Sequence, residues 1–301
     1  MISSLDPSSQ SFLTGLNQIQ QRMQTAEQQL TTGLKINDVS DDPSQIANLW
    51  QTRSNLNQVQ QINSNLGPVQ TEVNTGESVL ESAVSLVENA ETLGAQGASD
   101  TSDANTRQNL ASQLGSVLQQ LVSTANTTVE GRYIFSGDSD QTALYSFDST
   151  QAYPVSSYQG STSTRLIQAP DGSTFQVALT AQQIFDSSNA QQNVFTSISS
   201  LQQALLSNDT SAIGSALSNV QSSDQYLNQQ LAWYGTVQDR VASSLNFCQN
   251  YQTQLQSQLS GIQDADETAS ITDLTQAQTQ LQAALEGRAQ VPRTSLFDFL
   301  A

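Results

Sequence analysis

Carboxylates and one thiol are the side chains here whose types and spacing could do chemistry. Asp38, Asp41 and Asp42 form the densest early acidic group. A calcium loop would need oxygen ligands at alternate positions and a distal glutamate, and that pattern is missing. Turn formation and helix capping account for these aspartates better. Asp264, Asp266 and Glu267 form a second group. Paired carboxylates do acid–base work when held across a cleft, whereas these adjoin one another between two amphipathic segments and read as a helix start. Cys248 falls on the apolar stripe of a helical segment. A nucleophilic thiol needs a nearby base and an electropositive setting. With no histidine in the chain to serve as that base, a packed small hydrophobe is the expected role. No nucleophile-elbow serine or glycine-rich phosphate loop is found. The reading assigns no catalytic, cofactor-binding or metal-ligating residue, and it expects a protein that is not an enzyme.

Composition narrows the partners. The 301 residues carry 9 Lys plus Arg against 27 Asp plus Glu, a formal net charge of -18. Such a surface repels phosphate backbones and anionic lipid, so neither nucleic acid nor membrane insertion is expected. A single cysteine cannot form an internal disulfide. The N-terminus, MISSLDPSSQSFLTGL, lacks the basic and continuous apolar regions of a cleaved signal. No stretch reaches the roughly 18 apolar residues of a membrane span. The few cations could pair with carboxylates in a helical assembly, with Arg22 and Arg53 the best placed.

The elements around these residues are mainly helical. Phe12, Leu16, Ile19, Met23, Ala26 and Leu30 alternate in steps of four and three, a narrow apolar stripe on one helix side. Gly33 should end that helix with a left-handed cap. Asn37, Asp38, Ser40, Asp41 and Asp42 form a turn cluster, with Pro43 opening the next helix. Leu56, Val59, Asn63, Leu66, Val69, Val73, Gly76, Leu80, Ala83, Val87 and Ala90 continue the rhythm, with Asn63 and Gly76 as weak points. Gly67-Pro68 should kink or loosen this helix. Residues 94–103 read as a break, and a third helix is expected over 105–130.

The pattern changes after residue 130. Arg132-Tyr133-Ile134-Phe135 reads as a short strand. Residues 163–167 and 175–179 flank Pro170-Asp171-Gly172 as a hairpin. Tyr145, Tyr153 and Tyr158 either fill a small core there or offer rings to a sugar. Helix returns after about residue 190, with Val194, Ile198, Leu201 and Leu205. Leu227, Leu231, Tyr234, Val241, Leu245, Cys248, Leu255, Leu259 and Ile262 follow, with polar gaps at Gln238 and Gln252. A last helix carries Ile271, Leu274, Leu281 and Leu285. The predicted fold is mainly α: a long, coiled-coil-like helical rod formed by N- and C-terminal segments with a small inserted β-rich domain. Its expected parts are residues 1–137, 138–190 and 191–301. Narrow stripes on long polar helices need partner helices, so the chain is built for assembly and its outermost termini should be unstructured alone. The apolar end, Leu296, Phe297, Phe299 and Leu300, suggests docking.

Two segments carry a resemblance. Leu30-Thr31-Thr32-Gly33-Leu34-Lys35-Ile36-Asn37 followed by Ser40-Asp41-Asp42-Pro43 resembles an N-terminal signature of the bacterial flagellin superfamily. Leu259-Ser260-Gly261-Ile262-Gln263-Asp264-Ala265-Asp266, Leu281-Gln282-Ala283-Ala284-Leu285 and the final Ser295-Leu296-Phe297-Asp298-Phe299-Leu300 resemble its C-terminal end. Within the superfamily the chain is most similar to the hook-associated type 3 junction proteins. Three features say so: Pro43 after Asp42, the segment Gly131-Arg132-Tyr133-Ile134-Phe135-Ser136-Gly137, and a small insert containing Tyr158-Gln159-Gly160. The opening MISSLDPSSQ, Pro7 and Gly67-Pro68 depart from the family pattern.

The resemblance implies a structural subunit of the bacterial flagellum, without catalysis, at the junction between hook and filament. A short filament flagellin is the alternative. It implies secretion by the flagellar type III pathway without a cleaved signal. The implied partners are further copies in a ring, the hook-side junction protein, filament flagellin and a cytoplasmic export chaperone at the C-terminal region. It places Leu30, Gly33, Ile36, Asn37, Asp41 and Asp42 in subunit packing at a bend between helices. It places Leu296, Phe297, Phe299 and Leu300 at the inner-core end, and implies no cofactor.

Overall fold

The apolar rhythm resolves into long helices in the computed structural model, which describes residues 7–290. In chain order these are α1 (Pro7–Thr32), α2 (Pro43–Ala98), α3 (Ala104–Ala125), α4 (Ala181–Phe185), α5 (Val194–Leu206), α6 (Thr210–Gln263) and α7 (Glu267–Ala289). Between α3 and α4 lie four short strands: β1 (Thr128–Val129), β2 (Arg132–Tyr133), β3 (Leu166–Gln168) and β4 (Thr174–Gln176). The chain divides into two compact units, Met1–Gln58 with Tyr251–Ala301, and Val59–Asn250. α2 and α6 contribute residues to both. The apolar terminus Leu296, Phe297, Phe299 and Leu300 lies outside the described residues.

In the first unit α1 packs against α7. Ala26 is buried, and Phe12, Leu16, Ile19, Met23 and Leu30 are half-buried along the same side, as their spacing requires. On α7 the packed face is Ser270, Leu274, Ala277 and Leu281. The sequence reading also put Ile271 and Leu285 on that face, but they are 54% and 53% exposed. The helical period starting from Ser270 and Ala277 leaves both about one position off the seam, because small residues let the helices approach there. Arg22 pairs with Asp273 at 3.0 Å, in the open. Arg288 donates to Ser9 Oγ at 2.8 Å and lies 5.5 Å above the Phe12 ring.

The second unit is built on one core shared by α2, α3, α5 and α6. Val59, Leu66, Val69, Val73, Leu80, Ala83, Val87 and Ala90 on α2 are buried, and so are Val194, Ile198, Leu201 and Leu205 on α5. Burying a valine, leucine or isoleucine side chain contributes about 1.5–3 kcal/mol, so these stripes stabilise the unit substantially. α2 is continuous through Gly67-Pro68. Ser64, whose carbonyl loses its donor, and Pro68 are both exposed, so water can take up the freed acceptor while Leu66 and Val69 stay packed. α2 also extends to Ala98, which shortens the expected break to residues 99–103. Gly76 is not a gap in the stripe. The buried Tyr234 ring lies where its side chain would be, 2.6 Å from an added Cβ. On α6 the polar position Gln238 is bypassed, since Val237 is buried beside it.

The insert is sparse in strand. Glu130 and Gly131, both at positive φ, turn β1 into β2 in a tight antiparallel hairpin. β3 and β4 pair antiparallel, with Ile167 opposite Phe175, and the Asp171 carboxylate accepts from the Ser173 N–H at 2.9 Å in their turn. The segment after β2 drives Phe135 fully into the core, edge-on to Phe185 and Tyr234 at 6.2 Å each. Tyr145 is buried and Tyr158 half-buried, while Tyr153 is 61% exposed. Asn126 ties the segment down, accepting from Leu144 N at 2.7 Å and donating to Tyr145 O at 2.8 Å.

Candidate functional site

Six of the predicted assembly residues, Leu30, Gly33, Ile36, Asn37, Asp41 and Asp42, lie at the connection between α1 and α2, within the first unit. Helix α1 stops because Gly33 adopts φ +70, a conformation that costs a side chain about 1–2 kcal/mol. Its N–H closes the last turn on Gln29 O at 2.8 Å. The chain then runs extended for a few residues and meets the distant junction of α6 and α7. Lys35 N donates to Gln263 O at 2.6 Å, and Ala265 N donates to Gly33 O at 2.9 Å. Leu34 and Asp264 thus form an antiparallel bridge between parts of the chain some 230 residues apart.

Beyond the bridge, Asp41 organises the turn. Its Oδ2 accepts the N–H groups of Asn37 at 2.8 Å and Asp38 at 2.7 Å. Asn37 in turn donates from Nδ2 to Leu34 O at 2.9 Å. Asp42, just before α2, accepts from Ser44 Oγ at 2.6 Å. That hydrogen bond holds its carboxyl below the usual aspartate range. Pro43 takes the first helical position, where its missing N–H costs nothing. Ile36 is 3% exposed beneath the turn, and Leu30 is half-buried on α1. Asp38 is exposed, with its own backbone N–H held by Asp41.

On the other side of the bridge, Asp266 caps α7 by accepting from Ala269 N at 3.0 Å, which is the helix-start role expected of the second acidic group. Arg53 reaches Gln263 Oε1 at 2.7 Å, so its partner is an amide and not the carboxylate its charge suggested. Ser270 donates to Gln29 Oε1 at 3.0 Å. The sequence reading quoted Gln263 and Ala265 only within the C-terminal resemblance and placed neither them nor Gln29 among the assembly residues. Two of the contacts of Gln263 and Ala265 use backbone groups, which leave no mark on residue type.

This arrangement brings Leu30, Gly33, Ile36, Asn37, Asp41 and Asp42 to one place, and its chemistry is hydrogen bonding and packing. Cys248 lies elsewhere, fully buried on α6, and burial pushes its thiol pKa up, away from the reactive thiolate. Among the described residues, no group of three His, Cys, Asp or Glu side chains is placed to hold a metal ion. Among the same residues, no helix is long and apolar enough to cross a membrane. Val39 and Trp50, which the reading did not select, stand 60% and 63% exposed in the turn and on α2.

Comparison with known proteins agrees with these elements. The N-terminal helical region of bacterial flagellin matches residues 3–140, and the C-terminal helical region matches residues 210–300. The chain is 26% identical to flagellar hook-associated protein 3 of Escherichia coli (strain K12), over 96% of each chain. Two solved structures share the fold. A flagellar hook-associated protein from Vibrio parahaemolyticus superposes with a TM-score of 0.64 at 18% identity, over 74% of this chain and 100% of that one. Flagellar hook associated protein-3 from Legionella pneumophila gives 0.61 at 12% identity, over 70% and 98%. With both helical regions of the family matched in order, around the turn and helix pair described above, the chain belongs to the bacterial flagellin family.

Proposed function

We propose that this chain is a non-catalytic structural subunit of the bacterial flagellum that joins hook to filament. The observation that carries this reading is the similarity to flagellar hook-associated protein 3 along nearly the whole of both chains. The geometry supports an assembling subunit. Leu13, Ile271 and Leu285 remain 43–54% exposed on the α1 and α7 helices, apolar positions available to a neighbouring subunit.

In this reading the protein leaves the cell by the flagellar type III pathway, after an export chaperone has held its C-terminal region. It then packs as a ring between the hook-side junction protein and filament flagellin. Residues 1–137 and 191–301 supply the helical core and residues 138–190 the outward segment. Gly33, Asn37, Asp41 and Asp42 set the turn, and the buried Ile36 and half-buried Leu30 anchor it. The subunit contacts themselves then fall to exposed neighbours such as Val39 and Trp50. Leu296, Phe297, Phe299 and Leu300 serve the inner-core end and the chaperone.

Immunogold labelling of intact flagella with antibody to residues 138–190 tests the proposal. A single band where hook meets filament is expected. Label along the whole filament would make the chain a filament flagellin, and an unlabelled organelle in cells that express the protein would overturn both readings.

A further inference from the structure

A shallow groove of about 310 Å³ lies in the second unit, lined by residues of α3, α5 and the segment 147–154. Its lining includes Gln119, Gln151, Gln202, Gln203, Phe147 and Pro154, with Leu206, a glycine and three serines completing it. None of the lining residues is charged, on a chain of net charge -18. The volume is at the lower end of the range for small-ligand sites.

The lining is held in place. Gln202 Nε2 donates to Ala111 O at 3.0 Å and Gln203 Nε2 donates to Ala152 O at 3.2 Å. Each amide spends a donor on the backbone and keeps its carbonyl oxygen as an acceptor. Gly115, in the interior of α3, makes the first contact possible, since a Cβ there would meet Gln202 Nε2 at 2.9 Å. A glycine inside a helix costs about 1 kcal/mol relative to alanine, so this position gives up helix stability for the close approach. Phe147 is half-buried and Pro154 buried, which gives the groove fixed apolar surface. The Asp148 carboxylate, next along the chain, accepts from Thr150 N at 3.0 Å and from Thr150 Oγ1 at 2.6 Å.

We propose that this groove binds a neutral saccharide. Sugars present vicinal hydroxyls that both donate and accept, which suits uncharged amides and hydroxyls, and apolar C–H faces, which suit a ring wall. An anionic or cationic ligand would find no countercharge in the lining. The site is independent of the junction role, because its lining lies outside the turn and the α1–α7 pair.

The test is saturation-transfer NMR on the full chain with maltose, cellobiose, lactose and chitobiose in turn, and glucuronate as a charged control. At least one neutral disaccharide should bind with a Kd on the order of 1 mM, and the Kd should change less than about twofold with added salt, as for an uncharged ligand. Phe147→Ala should weaken binding about tenfold or more. Because Phe147 also packs against the core, Ser116→Leu serves as the second variant: it fills the groove from an exposed helix position that favours leucine over serine. Gln119→Ala, at an exposed lining position, is a third variant that leaves packing intact. The proposal is overturned if none of the four disaccharides shows transfer, if glucuronate binds more tightly than all of them, or if binding survives all three substitutions unchanged.

Discussion

Replacing Asp41 with alanine removes the acceptor that holds two consecutive N–H groups, those of Asn37 and Asp38, at 2.8 and 2.7 Å. Hydrogen bonds to a charged group contribute about 1.5–3 kcal/mol each when shielded. Asp41 is exposed, so water recovers much of that, and the pair together should be worth about 1–2 kcal/mol. Since about 1.4 kcal/mol corresponds to a factor of ten in an opening equilibrium, the Asn37 and Asp38 amides should exchange with solvent roughly tenfold faster in Asp41→Ala. Asp41→Asn keeps an acceptor and loses the charge, so it should show a smaller acceleration. Residue-resolved hydrogen exchange on the full chain measures both variants. The Lys35 amide, bound to Gln263 O, reports whether the loosened turn also weakens the bridge to the end of α6. If the Asn37 and Asp38 amides in Asp41→Ala exchange at the wild-type rate, Asp41 does not organise this turn. An acceleration spread evenly along α1 would refute the local account equally.

Three other substitutions follow from the same contacts. Gly76→Ala should destabilise the protein by about 1–3 kcal/mol in urea unfolding, although alanine favours helix, because the Tyr234 ring blocks its Cβ; a stabilised variant would sink this account. Arg107, 6% exposed, donates from Nε to Gly97 O at 2.8 Å and from Nη2 to Ser99 O at 3.3 Å, at the end of α2. Arg107→Met leaves those carbonyls without the guanidinium and should cost about 2–4 kcal/mol, and a loss under about 1 kcal/mol would show they are satisfied some other way. Burial and then Glu88 raise the Asp224 pKa, and burial followed by Asp224 and Glu88 raises that of Glu91. Folded-state values above the unfolded ones mean that ionisation costs stability above the raised values. That cost disappears as pH falls through them toward the ordinary carboxylate range of about 4. Asp224→Asn should therefore raise the Tm near pH 7, by an amount equivalent to about 0.5 kcal/mol after solvent screening. The gain should shrink toward about pH 4, and thermal melts in which it grows on acidification would contradict the sign.

Residue type alone located the places where local chemistry is decisive. Gly33 ends α1 and Pro43 opens α2 because positive φ and a missing N–H are properties of single residues. The turn at Pro170-Asp171-Gly172 carries its hairpin for the same reason. The apolar stripes of α2 and α5 were legible because burial repeats with the helix period.

What a position packs against came only with the folded chain. Gly76 reads as a weak point along α2, yet it makes room for Tyr234, more than 150 residues away. Ile271 and Leu285 carry apolar side chains but stand off the seam, which follows Ser270 and Ala277 instead. Asp38 and Asp41 have the same composition, and only the fold aims Asp41 at two backbone donors. Gln263 and Ala265 meet Gly33 and Lys35 through main-chain atoms. Backbone hydrogen bonds between distant segments depend on where the helices end and how they pack, and side-chain identity does not encode that choice. Helices, caps and family are thus written in the local order of residues, whereas the faces that meet and the groups that close the turn are non-local contacts, set when distant segments pack.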